Sequence, residues 1–378
     1  MDMTNDVVNE QKDTDTIEGL DTAPDADLSQ PEYPIDTLMI RTESRTVHDV
    51  LRRIERGDYI MDPEFQRDFV WNEEKQSKLI ESVLMRIPLP VFYFAENDDG
   101  KHVVVDGLQR ITTFKRFVSN EFKLRLRESP DLNGKRFDDL PVKLKNRIED
   151  CNLTLYLIDA KVGERIRLDI FERVNNGVPL TRQQMRNCLF NGGATQFLKE
   201  QATDNLFVLV TGGSLNVDQM RDREFVNRFC AFYLLGHQTY RGDMDEFLAS
   251  ALKHMNQMSP AELERLGEVF TQSLKVNYKL FERHAFRKFT DMNHNRSVIN
   301  ASLWDVLSTV FIPYLDRDFD AKHTQILDGM RTLFSESEFN SAITISTNDT
   351  KKVMYRFERV NTLMQEIFND NSDSTTNI

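Results

Sequence analysis

Residues 103–112 read Val-Val-Val-Asp-Gly-Leu-Gln-Arg-Ile-Thr. The β-branched run suits a strand, because branching at Cβ packs well on a pleated surface. Gly107 then permits a sharp change of backbone direction. An apolar-periodic segment from about Ile111 to Ser119 predicts a helix beyond it. On the other side, Val91–Ala95 and Lys101–Val105 flank Asn97-Asp-Asp-Gly100 and read as a hairpin. Strand, glycine, helix is an arrangement that points free backbone N–H groups at an anion. Arg110 adds a fixed charge and a bidentate donor fork beside them. A phosphate-bearing ligand is the first reading, although the chain has no GxxxxGK[ST] loop.

Helices and turns extend the pattern in both directions. Thr46-Val-His-Asp49 resembles a capping box with Asp for the usual Glu, and its helix stops at Gly57. Residues 59–71 read as extended. Asn72 is an N-cap with Glu73 and Glu74 in the positive first turn, and Pro88 and Pro90 end that helix. Phe122–Leu126 and Leu153–Ile158 are candidate strands, and Pro141–Asp150 and Glu164–Val174 candidate helices. Asn175-Asn-Gly177 ends the last of these, and Thr181 caps the next.

Short strands mixed with helices predict an α+β domain. Beyond about residue 200 strand signals fade. Ser259-Pro260, Asp243, Asn300 and Asp320 mark helix starts, so an all-α helical domain follows. The expected divisions are a disordered acidic tail (1–34), the α+β domain (35–200), the helical domain (201–370) and a frayed tail (371–378).

The net charge is −13, but ten acids and one base within residues 1–34 carry −9 of it. The other 344 residues therefore hold only −4, and a basic groove on the folded part is compatible with that. Arg41, Arg45, Arg52, Arg53 and Arg56 form one basic concentration. Lys115, Arg116, Lys123, Arg125 and Arg127 form another. If either converges in the fold, DNA becomes a partner; if not, they are solvated faces. Cys151, Cys188 and Cys230 are far apart, which argues against a disulfide framework or zinc knuckle. No apolar run reaches the length of a membrane span, and no signal peptide is legible, so a cytoplasmic location is expected.

Charged residues set among large apolar ones need partners or a ligand. Gln66-Arg67-Asp68 lies between Phe65 and Phe69-Val-Trp71, and Asp106–Arg110 follows a strand. A third cluster is Phe171-Glu-Arg-Val-Asn-Asn-Gly177. Two readings stand. In one, Arg67 bridges to Asp106 and Gly107 is only a turn. In the other, these residues face a bound phosphate. In that case the N–H groups after Gly107 and the Arg110 fork hold phosphate oxygens, and Arg67 neutralises transition-state charge. Asp106 or Asp68 helps to hold Mg²⁺, and Gln109 or Gln66 orients the attacking water. Thr112 lies beside this seat, and Arg173 and Asn175 close it. Trp71 is expected to pack rather than stack on a base. His294, within Met292-Asn-His-Asn-Arg296, lacks the second histidine and the hairpin that an HNH nuclease site requires.

Five ordered motifs carry a resemblance. They are Pro63–Trp71, Leu79-Ile-Glu-Ser82, Ile87-Pro-Leu-Pro90, Val105–Thr113 and Phe171–Asn175. Together they resemble the N-terminal domain family of GmrSD-type restriction endonucleases, over roughly residues 38–200. The chain is similar to stand-alone members without an HNH domain. The resemblance implies a ParB/sulfiredoxin-like fold. It also implies a nucleoside-triphosphate-binding, NTP-hydrolysing module with Mg²⁺, serving bacterial restriction or anti-phage defence. By position it nominates Gln66, Arg67, Asp106, Gly107, Gln109 and Arg110 as pocket residues. Leu108 departs from the glutamine usual in that loop. Two further outcomes are open. One is a non-catalytic module that binds DNA or nucleotide and acts through a partner nuclease. The other is a DNA nuclease in its own right.

Overall fold

The computed structural model describes residues 17–20, 40–61, 71–97, 99–174, 181–292 and 295–369. The chain divides into two compact units, residues 30–190 and residues 191–378 joined by 1–29.

The first unit is α+β. Its elements in chain order are β1 (Ile40–Thr46), α1 (Val47–Glu55), β2 (Tyr59–Ile60), α2 (Glu73–Leu84), β3 (Phe92–Glu96) and β4 (His102–Asp106). After these come α3 (Leu108–Val118), α4 (Val142–Glu149), β5 (Asn152–Ile158), α5 (Glu164–Val174) and α6 (Arg182–Leu189). The strands form one mixed sheet in the order β1-β5-β3-β4-β2. β3 and β4 are the expected antiparallel hairpin, and β3 runs parallel to β5. Alternation sends Phe92, Phe94, Val104, Leu153, Leu155 and Leu157 to one face. There they meet Val47 and Val50 of α1, Ile80 and Val83 of α2, Ile111, Phe114 and Phe117 of α3, and Ile148 of α4. The helices start where the caps predict. Thr46 Oγ1 accepts from Asp49 N–H at 3.1 Å, and Asn72 Oδ1 from Lys75 N–H at 2.9 Å.

Two sheet expectations change. β1 was not anticipated, because none of its seven residues is fully buried, so no apolar alternation marks it. It is recruited by backbone pairing to β5, from Ile40 opposite Ile158 to Thr46 opposite Asn152. Phe122–Leu126, conversely, is not a strand. Its side chains do alternate, with Phe122, Leu124 and Leu126 buried and Lys123, Arg125 and Arg127 exposed. Its backbone bonds instead to a turn and to α2. Leu124 N–H donates to Lys135 O at 2.9 Å, Arg125 N–H to Ser77 Oγ at 2.8 Å and Leu126 N–H to Asn133 Oδ1 at 3.0 Å. Period-two burial records which side chains go in; it does not supply a neighbouring strand.

The second unit is helical: α7 (Gly193–Ala202), α8 (Asn205–Thr211), α9 (Arg221–Leu235), α10 (Met244–Asn256), α11 (Pro260–Phe281), α12 (Ala301–Val310), α13 (Phe319–Ser335), α14 (Ser337–Thr344) and α15 (Thr350–Asn369). The division at residue 190 assigns α7 to this unit, ten residues earlier than expected. Asp243 and Asn300 cap their helices, and Ser259 makes a capping box with Glu262 behind Pro260. α13 is capped by Asp318 and carries Asp320 in its first turn, so Asp320 marks the helix start as expected. Trp304 is fully buried, and its Nε1–H donates to Phe225 O at 2.7 Å. Beside it, Asp305 takes two bonds of 2.7 Å from Arg228 and one of 2.9 Å from Arg356. All three charged side chains are buried. Ile17–Leu20, expected to lie in a disordered tail, is held by hydrogen bonds to residues 299–301 and 347. Among the described residues no helix is long and apolar enough to cross a membrane.

Candidate functional site

The elbow after β4 is tighter than the sequence suggests. Asp106 ends the strand opposite Tyr93, Gly107 turns with φ +102°, and α3 begins at once with Leu108. The helix therefore starts three residues before the expected Ile111, which makes Leu108, Gln109 and Arg110 its first turn. A Cβ at position 107 would lie 2.3 Å from Phe92 Cδ1. Glycine is required here by its φ and by the packed ring, independently of any ligand.

The Arg110 fork faces the protein. It donates to Pro90 O at 2.5 Å, to Val91 O at 3.0 Å and to Asp106 Oδ2 at 2.8 Å. Its guanidinium lies 4.1 Å from the Phe92 ring centre. Three of its five N–H donors are thus used within the chain, and the side chain is 11% exposed. Arg110 ties the Pro88–Pro90 approach to the start of β3 and holds the strand end against the elbow. Asp106 also accepts from Gly107 N–H. Burial pushes its carboxyl above the usual aspartate range, against the opposing pull of Arg110. The Arg67–Asp106 bridge weighed from the sequence has a rival here, since Asp106 is paired with Arg110.

What remains unengaged at the elbow is backbone and amide. Among the described residues, the N–H groups of Leu108, Gln109 and Arg110 have no acceptor, as expected of a helix start without a capping side chain. Gln109 is half-buried, and its Oε1 is buried without a hydrogen-bond partner. Thr112 sits one turn on and is half-buried. Leu108 points inward, 9% exposed in the core cluster. Arg173 lies exposed in the last turn of α5. Gln66, Arg67, Asp68, Asn175 and His294 fall outside the described residues. Trp71 packs on the core of the α/β unit with Lys75 Nζ 4.8 Å from its ring centre, as expected of a packing residue.

Several polar residues near these elements escaped sequence reasoning. Arg167 of α5 is 1% exposed, bonded to Glu164 at 3.0 Å and to Glu96 O at 2.7 Å. On α6, Gln183 Nε2 donates to Asn187 Oδ1 at 2.8 Å, and Arg186 Nε to Gln183 Oε1 at 3.0 Å, all buried. The available signal was spacing: 183, 186 and 187 share one helical face and are all polar. Among the described residues no three His, Cys, Asp or Glu side chains converge as a metal site would need.

The basic concentrations resolve differently. Arg45, Arg52 and Arg53 converge on the single carboxylate of Asp49, at 3.2, 2.5 and 3.3 Å. With Glu43 on Arg45 at 2.7 Å and Asp58 near Arg53 at 3.9 Å, three carboxylates answer these three arginines. Lys123, Arg125 and Arg127 all project outward from the extended segment, with Arg125 paired to Glu73.

Residues 47–191 match the family model described as GmrSD restriction endonuclease, N-terminal domain. The match spans the whole elbow and most of the α/β unit, and agrees with the resemblance carried by the five motifs. No curated protein matches the chain.

Proposed function

We propose that the domain matched to GmrSD restriction endonucleases is the nucleotide-binding module of a DNA restriction or anti-phage defence component, with its phosphate seat at the start of α3. The observation that carries this reading is the elbow itself. Among the described residues, it leaves the Leu108, Gln109 and Arg110 N–H groups at the positive end of an eleven-residue helix without acceptors, beside a Gln109 Oε1 without a partner. Phosphate oxygens accept from the amides. Gln109 Oε1 needs a donor, which an attacking water or a ribose hydroxyl supplies. Arg110 acts as a positioning residue, because its fork is engaged by Pro90, Val91 and Asp106. Thr112, Arg173 and Asn175 flank the seat in this reading, and Gln66, Arg67 and Asp68 supply its second wall.

Mg²⁺ would neutralise phosphate charge. Asp106 is the carboxylate that would reach it, through water and together with the phosphate oxygens, while keeping its bonds to Gly107 and Arg110. Hydrolysis then rests on Arg67 for charge and on Gln109 or Gln66 for water. A second reading is favoured by Leu108, which stands where the resembling family's loop usually has glutamine. There the module binds nucleotide or DNA without turnover and acts through a partner nuclease.

Thermal unfolding with ATP, GTP and CTP, with and without Mg²⁺, tests the seat. A ligand that binds only the native state at 100 times its Kd adds about 2.7 kcal/mol of stability. A shift with at least one nucleotide is expected, and no shift with any of them would rule the seat out. Phosphate release then separates the two readings. Gln109→Ala should keep the shift while slowing release at least ~10-fold if Gln109 orients water.

A further inference from the structure

Ile17–Leu20 is held in the helical unit as a bound peptide would be. Glu18 N–H donates to Ile299 O at 3.0 Å, and Ala301 N–H donates to Glu18 O at 2.8 Å. These bonds make a parallel bridge between Glu18 and Asn300. The Glu18 carboxylate accepts from Lys288 Nζ at 2.5 Å and from Asn300 Nδ2 at 3.2 Å. Thr347 Oγ1 donates to Gly19 O at 2.7 Å. Gly19 itself is buried with φ +72°; a Cβ there would sit 2.8 Å from Ile343 O and 3.0 Å from Ser302 Oγ. The cleft thus distinguishes three features: extended backbone, a carboxylate at one position and the absence of a side chain at the next.

The walls of the cleft are fixed by bonds that do not involve the arm. Asn300 caps α12 through Leu303 N–H at 2.8 Å and donates to Ile343 O at 2.8 Å. Thr347 O accepts from the buried Arg356 at 2.5 Å, which ties it to the Asp305 cluster. A receptor organised in this way, with a main-chain bridge for affinity and a side-chain pocket for choice, follows the logic of strand addition.

We propose that this cleft is a peptide-recognition site, occupied in cis by Ile17–Leu20 and able to take in trans an acidic peptide that presents the same Glu-Gly pair. Tethering in one chain gives the internal segment an effective concentration on the order of millimolar. A free peptide therefore competes poorly until the internal segment is disabled. The reading is independent of the nucleotide seat.

The test uses the full chain carrying Gly19→Val, a change confined to the arm that leaves the cleft intact. A fluorescein-labelled peptide with the sequence of residues 13–24 is titrated against this variant and against the unaltered chain. The peptide is expected to bind the variant at least ~10-fold more tightly. The same peptide carrying Glu18→Gln, or Gly19→Val, should lose that binding by ~10-fold or more. Amide exchange at Ala301, whose N–H donates to Glu18 O, should speed up in Gly19→Val and slow again when the unaltered peptide is added. Equal binding to both chains, binding to neither, or an unchanged Ala301 amide would each overturn the proposal.

Discussion

At Gly107 a single hydrogen decides the geometry of the elbow. The backbone is left-handed and the space for a Cβ is filled by the Phe92 ring. Gly107→Ala should cost about 2 kcal/mol or more, from strain at positive φ and from overpacking. Denaturant unfolding checks the size, and Phe92→Leu in the same chain should recover part of the loss. If Gly107→Ala is as stable as the parent, the turn is not as tight as described. Arg110 shows how residue type can mislead about role. Its fork was expected to face a phosphate, and it binds Pro90, Val91 and Asp106 instead. A guanidinium suits carbonyls and carboxylates of the chain as well as it suits phosphate, and sequence cannot say which is nearer. Gln109, half-buried with an unpartnered oxygen, is the side chain at the elbow with capacity left for a ligand.

Among the elements, the helices were more legible than the strands. Caps are local: Thr46, Asn72, Thr181, Asp243, Ser259 and Asn300 each accept from the amide three residues on, so a short window contains cause and effect. Strand pairing is not local. β1 was invisible because it pairs through its backbone without apolar alternation, and Phe122–Leu126 was misread because its partners are a turn and Ser77 rather than a strand. That extended segment depends on α2 for one of its amides. Ser77→Ala removes the acceptor of Arg125 N–H and should cost about 1–3 kcal/mol. Hydrogen exchange at Arg125 should rise first, while exchange at Phe94 in β3 stays slow. Equal loss of protection at both positions would show that Ser77 supports the core rather than this segment.

For the whole molecule, two buried charge arrangements govern stability. Asp305 is the carboxylate shared by two buried guanidinium groups, from α9 and α15. Asp305→Asn leaves them uncompensated and should cost about 3–5 kcal/mol in the helical unit, read as a large drop in its unfolding midpoint. A fall of less than about 1 kcal/mol would mean that the cluster is solvated. The histidines give the pH dependence. Burial lowers the pKa of His102, His237 and His284 below the ordinary 6.5. A group whose folded value is depressed contributes stability that is present above its unfolded value and lost as pH falls through the folded one. Unfolding free energy should therefore drop progressively from about pH 6.5 downward, and His102→Phe should flatten part of that slope. An unchanged slope in His102→Phe would show that this ring is not held neutral.

By itself the sequence determined what is set by neighbours along the chain: the α+β then α order, the helix starts, the hairpin and the strand–glycine–helix elbow of residues 103–112. Its five ordered motifs also identified the family whose N-terminal domain matches residues 47–191. Only the tertiary structure decided which side chains spend their hydrogen bonds inside the protein. It turned Arg110 inward, gave Gly107 a packing reason, and buried Arg167, Arg186 and the Asp305 cluster. It also showed that Glu18-Gly19, in the most acidic stretch of the chain, has a fitted place beside Asn300. Backbone propensity and capping act within a turn or two. The partner of a charge or the lining of a cleft depends on residues tens to hundreds of positions away, and only folding brings those together.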